Sequence, residues 1–186
     1  MKRALILLAM VAAGQLAIPV CMVRRQEQTL REGRAYRFRT APVDPYDAFR
    51  GRYVQLSFEQ NSAPWAGGTV VYRQPGFAEV AEGGDGYAVV RRVALTPPAQ
   101  GDYCKVELSY PGWGTNAGVV NFRLPFDRYY MEETKAPTAE RVYRQQNRRD
   151  RVNSNTYALV FIKDGHAALG ELYIGDKPVH EVLKTP

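Results

Sequence analysis

An acidic and basic block near residue 44 holds the side chains best suited to chemistry. Asp44 and Asp47 lie three residues apart, close to Arg50 and Arg52. Such a polar cluster could hold a ligand or a partner loop, or it could supply the carboxylates of a hydrolase. Its residues could also have a structural role, with Asp44 capping a helical turn, Asp47 in the first turn, and the arginines forming surface ion pairs. The structural interpretation is favoured, and the hydrolase stays as the alternative.

A second candidate is an arginine-rich segment late in the chain. It lacks glycine and apolar alternation after Pro137, which predicts a helix over about 137–151. Ala139, Val142 and Tyr143 form its thin apolar stripe. Four arginines on the polar side are candidates for binding an anionic partner: Arg141, Arg144, Arg148 and Arg151. A face of this kind could bind lipid headgroups, a polyanionic glycan or an acidic protein, although most such faces are only solvated.

Other patterns typical of enzymes are missing from the sequence. His166 and His180 are the only two histidines, and no metal-ligand spacing surrounds them. The serines have no nucleophile-elbow sequence around them, and no glycine-rich phosphate loop precedes a helix. Cys21 lies in an apolar run and Cys104 in a predicted strand, so no disulfide is expected. We expect no cofactor and no metal, and we favour a protein that is not an enzyme.

The N-terminus has the pattern of an export signal. Lys2 and Arg3 precede an apolar run from Ala4 to Val23, which Arg24 and Arg25 close. Twenty helical residues cover roughly 30 Å, enough to cross a bilayer. We therefore predict an uncleaved transmembrane anchor over 1–25, a short polar spacer, and a body over 26–186 that lies outside the cytoplasm. Two alternatives are a cleaved signal and a lipid on Cys21.

The body has the pattern of antiparallel strands joined by turns. Apolar and polar residues alternate over 34–40, 53–58 and 103–110, and Asp164-Gly165 suits a two-residue hairpin turn between 156–163 and 167–174. Further strands are predicted at 69–72, 86–95 and 119–124, with turns between them such as Gln74-Pro75-Gly76. The predicted fold class is mainly β, all-β or α+β, with one late helix. The net charge of +6 would suit an anionic partner, but nucleic acid is not expected, because the N-terminal segment directs the body out of the cytoplasm.

The stretch around residue 51 resembles a known family of bacterial membrane-anchored proteins, named for the motif Gly-Asp-Tyr-x-x-Leu-x-Tyr (GDYXXLXY). Gly51, Tyr53, Leu56 and Phe58 fall on the motif, with Phe58 in place of its last tyrosine. Arg52 replaces the aspartate, and a guanidinium cannot take over the acid–base role of a carboxylate. The block is therefore expected to be structural or to bind something.

The resemblance implies a place in the bacterial inner membrane, with the body on the periplasmic side. It also implies a multi-pass membrane protein as a partner, and it implies no established biochemical activity. The expected function is that of an interaction or assembly module for another envelope protein.

Overall fold

The computed structural model describes residues 2–41, 53–109, 118–132, 138–139, 141–143, 156–175 and 177–183. Helix α1 spans Lys2–Glu32. The strands that follow it are β1 (Arg34–Ala41), β2 (Tyr53–Gln55), β3 (Ser57–Phe58), β4 (Ser62–Ala66), β5 (Pro75–Glu82), β6 (Ala88–Ala94), β7 (Asp102–Leu108), β8 (Val119–Arg123), β9 (Arg128–Tyr130), β10 (Thr156–Lys163), β11 (His166–Ile174) and β12 (Lys177–Pro178). A short helix, α2, ends the described chain at Val179–Val182. The described part is mainly β, as predicted.

Five strands form an antiparallel sheet in the order β12-β11-β10-β1-β3. Tyr36 and Phe38 of β1 are buried, and Arg37 between them is exposed, which confirms the predicted alternation. The predicted hairpin between β10 and β11 is also confirmed. Its turn residues Asp164 and Gly165 have φ values of 48° and 78°, the left-handed conformation that a tight hairpin turn needs.

The other large unit is a closed barrel in the order β4-β6-β5-β7-β8. The pairing of β4 with β6 is parallel, and the other pairings within the barrel are antiparallel. Side chains fill the interior of a barrel this small. The buried residues Ala78, Val93, Leu108 and Val120 are each 0% exposed. The predicted alternation in β7 is confirmed, since Cys104, Val106 and Leu108 are buried and Lys105 and Glu107 are exposed.

The sheet and the barrel share one hydrophobic core. The amide of Lys105 in β7 donates to the carbonyl of Gly165 at the β10–β11 turn, at 3.2 Å. Near the end of β3, the rings of Phe38, Phe58 and Phe126 meet edge to face, with centroids 5.0–6.1 Å apart. These ring contacts hold β3 against β1 and against the segment that follows β8.

The predicted strand at Thr69–Tyr72 is wrong, and the strands on either side of it, β4 and β5, were not predicted. These residues lie in a bend and turn between β4 and β5, and Val71 and Tyr72 are more than half exposed. The amide of Gln74 donates to the carbonyl of Val71 at 3.1 Å, and Arg73 has a φ of 62°. Local turn bonding therefore outweighs the β propensity of the two valines and the tyrosine.

The predicted turn at Gln74-Pro75-Gly76 is also misplaced, because Pro75 and Gly76 begin β5. Gly76 is buried at the barrel wall. A side chain there would approach Leu108 to 2.9 Å, so glycine allows the close packing of β5 on β7.

Helix α1 is docked to the body only through its last turns. Thr29 is 3% exposed, its hydroxyl donates to the carbonyl of Arg25, and the amide of Gly33 donates to the carbonyl of Thr29. Glu32 forms an ion pair with Lys163 at the end of β10. The polar spacer predicted after residue 25 is thus helical, because residues 26–32 contain neither proline nor glycine.

From residue 10 to residue 28 the described side chains of α1 are exposed. Among the residues that the structure describes, no helix is both long enough and apolar enough to span a membrane.

The predicted late helix is confirmed where the structure describes it, at 138–139 and 141–143. Ala139 and Tyr143 of its apolar stripe are 0% and 1% exposed. The remainder of 137–151 lies outside the described residues. The C-terminal helix α2, which the sequence pattern did not predict, places Val179 in the core.

Candidate functional site

Residues 53–58, which include β2 and β3 and are called the motif strand below, have two faces with different surroundings. Val54, Leu56 and Phe58 are at most 6% exposed. Tyr53, Gln55 and Ser57 alternate with them and are partly exposed. The motif leucine and the final aromatic residue are therefore core residues, which confirms the predicted facing of this strand and supports a structural role for those two positions.

A cleft of about 460 Å³ opens beside this strand. Its walls come from the motif strand, from Gln60 and Asn61, from the ends of β7 and β8, and from the start of β9. The lining residues are Tyr53, Gln55, Leu56, Ser57, Phe58, Gln60, Asn61, Ser109, Phe122, Arg123, Leu124, Asp127 and Arg128. Most of them are polar, which is unlike a typical apolar drug-sized pocket.

The cleft lies between two antiparallel segments that pair at both ends and are separated in the middle. Ser62 of β4 is paired with Asn121 of β8. The same register, continued for seven residues along each segment, reaches Gln55 and Arg128. These two residues are indeed paired, in β2 and β9. Between these ladders, residues 57–60 and 123–126, all of them described, are joined by no backbone hydrogen bond. The same two segments are thus paired at both ends and separated in the middle.

Backbone hydrogen bonds close both ends of the opening. The amide of Leu56 donates to the carbonyl of Asp127 at 2.8 Å, and the amide of Phe122 donates to the carbonyl of Asn61 at 2.9 Å. Both ends are therefore pinned, and the cleft is a fixed feature of the sheet.

The middle stays open because β3 is paired elsewhere. Ser57 and Phe58 lie opposite Ala41 and Thr40 of β1, and the amide of Glu59 donates to the carbonyl of Arg39 at 3.2 Å. On the opposite wall, Pro125 has no amide hydrogen to offer a ladder. The chain therefore pairs with β9 in β2 and with β1 in β3. It returns at β4 to the segment that contains β8 and β9, by pairing with β8.

A polar cluster lies at the β9 end of the cleft. Asp127 accepts a hydrogen bond from the side-chain amide of Gln55 at 3.4 Å, and its other oxygen lies 3.8 Å from Nε of Arg128. The Arg128 guanidinium lies 5.1 Å from the centre of the Tyr53 ring, within cation–π range. The pKa of Arg128 is raised by a hydrogen bond with Tyr130 and by the nearby Tyr53 and Asp127. Arg128 is thus paired within the protein.

Arg123 differs from Arg128. It lies at the end of β8, its side chain is exposed, and its guanidinium has no hydrogen bond, ion pair or ring contact with any described residue. Among the described residues, the charges lining the cleft are two guanidinium groups and one carboxylate, and the carboxylate is already paired with Arg128. Glu107 of β7 lies opposite Arg123 in the ladder, but its carboxylate pairs with Arg73 at 3.5 Å. Arg123 is therefore left without an ion-pair partner among the described residues.

A second polar group joins β9 to the C-terminus. The hydroxyl of Tyr129 donates to Oε1 of Glu171 at 2.6 Å, and Nδ1 of His180 lies 2.9 Å from Oε2 of the same carboxylate. Burial raises the pKa of Tyr129, and the hydrogen bond to Glu171 raises it further. The group connects β9, β11 and α2.

Several predicted site residues lie outside the described residues: Asp44, Asp47, Arg50, Gly51, Arg52, Arg144, Arg148 and Arg151. Arg141 is described and is exposed. Within the described residues, no group of three or more His, Cys, Asp or Glu could hold a metal ion.

The sequence patterns did not single out Gln55, Arg123, Asp127 or Arg128 as site residues. The signal that could have found Asp127 and Arg128 was the polar pair between the aromatic residues Phe126 and Tyr129. No local signal identified Arg123, since its importance depends on which strands surround it.

A mainly antiparallel β protein with a polar cleft beside the motif strand is the class that this fold defines. Residues 15–172 match the model of the family described as GDYXXLXY protein, so the chain belongs to that family. The membership in this family that the motif predicted is thereby confirmed. Comparisons with curated proteins and with solved structures gave no match.

Proposed function

We propose that this protein is a membrane-tethered binding module that holds a segment of another envelope protein in the motif cleft. The observation that carries the proposal is the opened register: the motif strand is pinned at both ends of a polar cleft and is separated from its partner between them. A cleft with fixed ends and unpaired groups inside is suited to receiving a ligand without rearrangement.

Binding is favoured over hydrolysis by the state of the cleft carboxylate. Among the described residues, Asp127 is the only carboxylate that lines the cleft. Its oxygens already contact Gln55 and Arg128, and no described histidine or second described carboxylate lines the cleft to complete an acid–base pair.

The proposed membrane tether is α1. Its described large apolar side chains between residues 6 and 23 are 49–72% exposed. Exposed apolar surface of this extent needs a partner that removes it from water. The sequence from Ala4 to Val23 contains no charged residue, and a lipid bilayer would accept a helix of that length. Lys2 and Arg3 favour a cytoplasmic N-terminus, whereas Arg24 and Arg25 at the other end of the apolar run favour the reverse. We propose that the body lies in the periplasm, at the inner membrane, because the family resemblance implies that orientation.

A photo-crosslinking experiment in intact membranes tests the binding role. A photo-reactive residue at Ser57, inside the cleft, should give an adduct of discrete mass. The same residue at Arg91, an exposed position on β6 that does not line the cleft, should give none. A multi-pass membrane protein is the expected partner, and Arg123→Gln should weaken the Ser57 adduct. Equal labelling from both positions, or none from Ser57, would contradict the proposal.

The tether is tested separately by the mass of the membrane-extracted chain. We expect the full chain of 20.9 kDa in the fraction that resists carbonate extraction. A larger mass located at Cys21 would indicate a lipid anchor instead. A chain that begins near residue 26 and is found in the soluble fraction would disprove tethering but would leave the binding role of the cleft open to the crosslinking test.

A further inference from the structure

We propose that the occupant of the motif cleft is an extended polypeptide segment carrying a carboxylate, which adds to the free edge of the motif strand at Phe58 and places its carboxylate on Arg123. This inference rests on the binding role proposed above and specifies the chemistry of the partner segment. It follows from three features of the cleft: its backbone groups, its charge and its aromatic rings.

The backbone of Phe58 presents both of its polar groups to the cleft. Along an antiparallel strand, successive residues direct their N–H and C=O groups to alternate edges. Because the amide of Glu59 bonds to Arg39 in β1, the N–H and C=O of Phe58 point to the other edge, which faces the cleft. No described residue bonds to them. A donor and an acceptor on one residue are what an added strand recognises.

The uncompensated charge of Arg123 specifies a single carboxylate. A guanidinium binds a carboxylate through two parallel hydrogen bonds, and such charge-assisted bonds are stronger than neutral ones. Arg128 does not compete for this role, because Asp127 and the Tyr53 ring already surround it. One available positive charge among the described lining residues suits a single acidic side chain better than a polyanion, which needs several cations.

The aromatic content of the cleft argues against a sugar. Glycan sites usually offer a free aromatic face for stacking, and among the described residues Tyr53 is the only tyrosine or tryptophan that lines the cleft. Its ring is already in contact with Tyr130, at a centroid distance of 5.6 Å, and with Arg128. The remaining groups suit a peptide: Gln60 accepts from the amide of Val90 through its side-chain oxygen, which leaves its NH₂ group available to a peptide carbonyl.

Peptide pools provide the test. Three pools of capped, degenerate octapeptides, identical except for a fixed central Glu, Gln or Lys, are passed over the immobilised full chain in detergent, and the retained peptides are measured by mass spectrometry. We expect the Glu pool to be retained roughly tenfold more than the other two. Arg123→Gln should abolish that preference. Arg91→Gln, which removes an exposed arginine elsewhere, should leave it unchanged.

Charge reversal and backbone methylation make the test sharper. Arg123→Glu should shift retention towards the Lys pool, and thermal unfolding should confirm that the variant is folded. In the best-retained Glu peptide, the central residues are N-methylated one at a time. Methylation at one of these positions should weaken binding by about tenfold or more, because the methyl group removes the hydrogen bond to the Phe58 carbonyl. Tolerance of N-methylation at every position would exclude strand addition.

Other outcomes would overturn the inference in distinct ways. Equal retention of all pools, or a Glu preference that survives Arg123→Gln, would exclude the carboxylate–Arg123 contact. If no pool is retained but the Ser57 crosslink to a partner still forms, the binding role stands and the peptide chemistry is wrong. If both fail, the cleft is not a binding site.

Discussion

Single residues of the motif strand have separate roles that depend on which way they face. Phe58 packs its ring against Phe38 and Phe126 and offers its backbone to the cleft. Ser57, its neighbour, is partly exposed and is not part of the buried core. The contribution of this strand to core stability therefore comes from the Phe58 ring and can be tested by comparing substitutions at Phe58 and Ser57.

Phe58→Ala should lower the free energy of unfolding by about 3–5 kcal/mol, because it leaves a cavity between two rings. Ser57→Ala is the matched control and should change it by less than about 0.5 kcal/mol. Urea unfolding of both variants measures the difference. A small effect of Phe58→Ala would mean that the three rings do not form a packed cluster.

Tyr36 should make stability depend on pH in the alkaline range. Its hydroxyl donates to Asp102 at 2.7 Å, and burial, followed by this hydrogen bond, raises its pKa to about 12. The phenol of an unfolded chain has a pKa of about 10. Since the folded state holds the proton more tightly, the stabilisation is complete below pH 10 and is lost as the pH rises from 10 to 12.

Tyr36→Phe should therefore flatten the fall of the unfolding free energy between pH 10 and 12. Tyr72→Phe, at a tyrosine that is 51% exposed, serves as the control and should keep the wild-type slope. Denaturant unfolding at several pH values tests this expectation. An unchanged slope in Tyr36→Phe would show that another group governs the alkaline transition.

At the scale of elements, the cleft arises because one stretch of chain pairs with several partners in turn. The segment from β2 to β4 pairs with β9, then with β1, and then with β8 and β6. Each change of partner requires the chain to leave a ladder. The opening beside β3 is the space left by the change from β9 to β1 and back to β8.

Alanine substitutions at Gly165, in the β10–β11 turn, and at Gly101 should separate two causes of destabilisation, which are backbone strain and a steric clash. Gly165 has a φ of 78°, and a Cβ there would lie 2.6 Å from the Tyr103 ring. Gly101 has a φ of 91° but open space around it. Gly101→Ala should cost about 1–2 kcal/mol from backbone strain alone. Gly165→Ala should cost roughly 1 kcal/mol more, because the ring must move. Thermal and urea unfolding compare the two variants. Equal losses of unfolding free energy would mean that the Tyr103 ring moves aside without a cost in stability.

For the whole molecule, the body and most of α1 are nearly independent. The side chains from residue 10 to residue 28 are exposed, whereas Thr29 and Glu32 contact the body. The strands form their cores without the apolar part of the helix. Helix α1 therefore touches the body only at its last turns, where Glu32 pairs with Lys163 beside the β10–β11 turn.

Removal of residues 1–23 should release the protein into the soluble fraction and change the unfolding free energy of the body by less than about 1 kcal/mol. Removal of residues 1–33 should cost more, because it also deletes the packing of Thr29 and the Glu32–Lys163 ion pair. Fractionation and thermal unfolding report the two effects. Retention of the shorter deletion in membranes would show that the body itself binds them.

The sequence by itself determined the local features of this protein. Strict alternation identified the buried faces of β1, β7 and the motif strand, and Asp164-Gly165 identified the hairpin, because a strand's period of two and a turn's φ requirement are properties of neighbouring residues. The motif also identified the family. Local β propensity failed at Thr69–Tyr72, where turn hydrogen bonds competed successfully with it.

Only the tertiary structure decided which strands pair and where pairing stops. The closure of the barrel by parallel β4–β6 pairing, the capture of β3 by β1, and the convergence of Gln55, Arg123 and Asp127 at one cleft all join segments far apart in the chain. Alternation fixes which face of a strand is buried, but it leaves both edges of the strand chemically equivalent. The choice of partner depends on the packing of the whole core, and the position of the cleft depends on that choice.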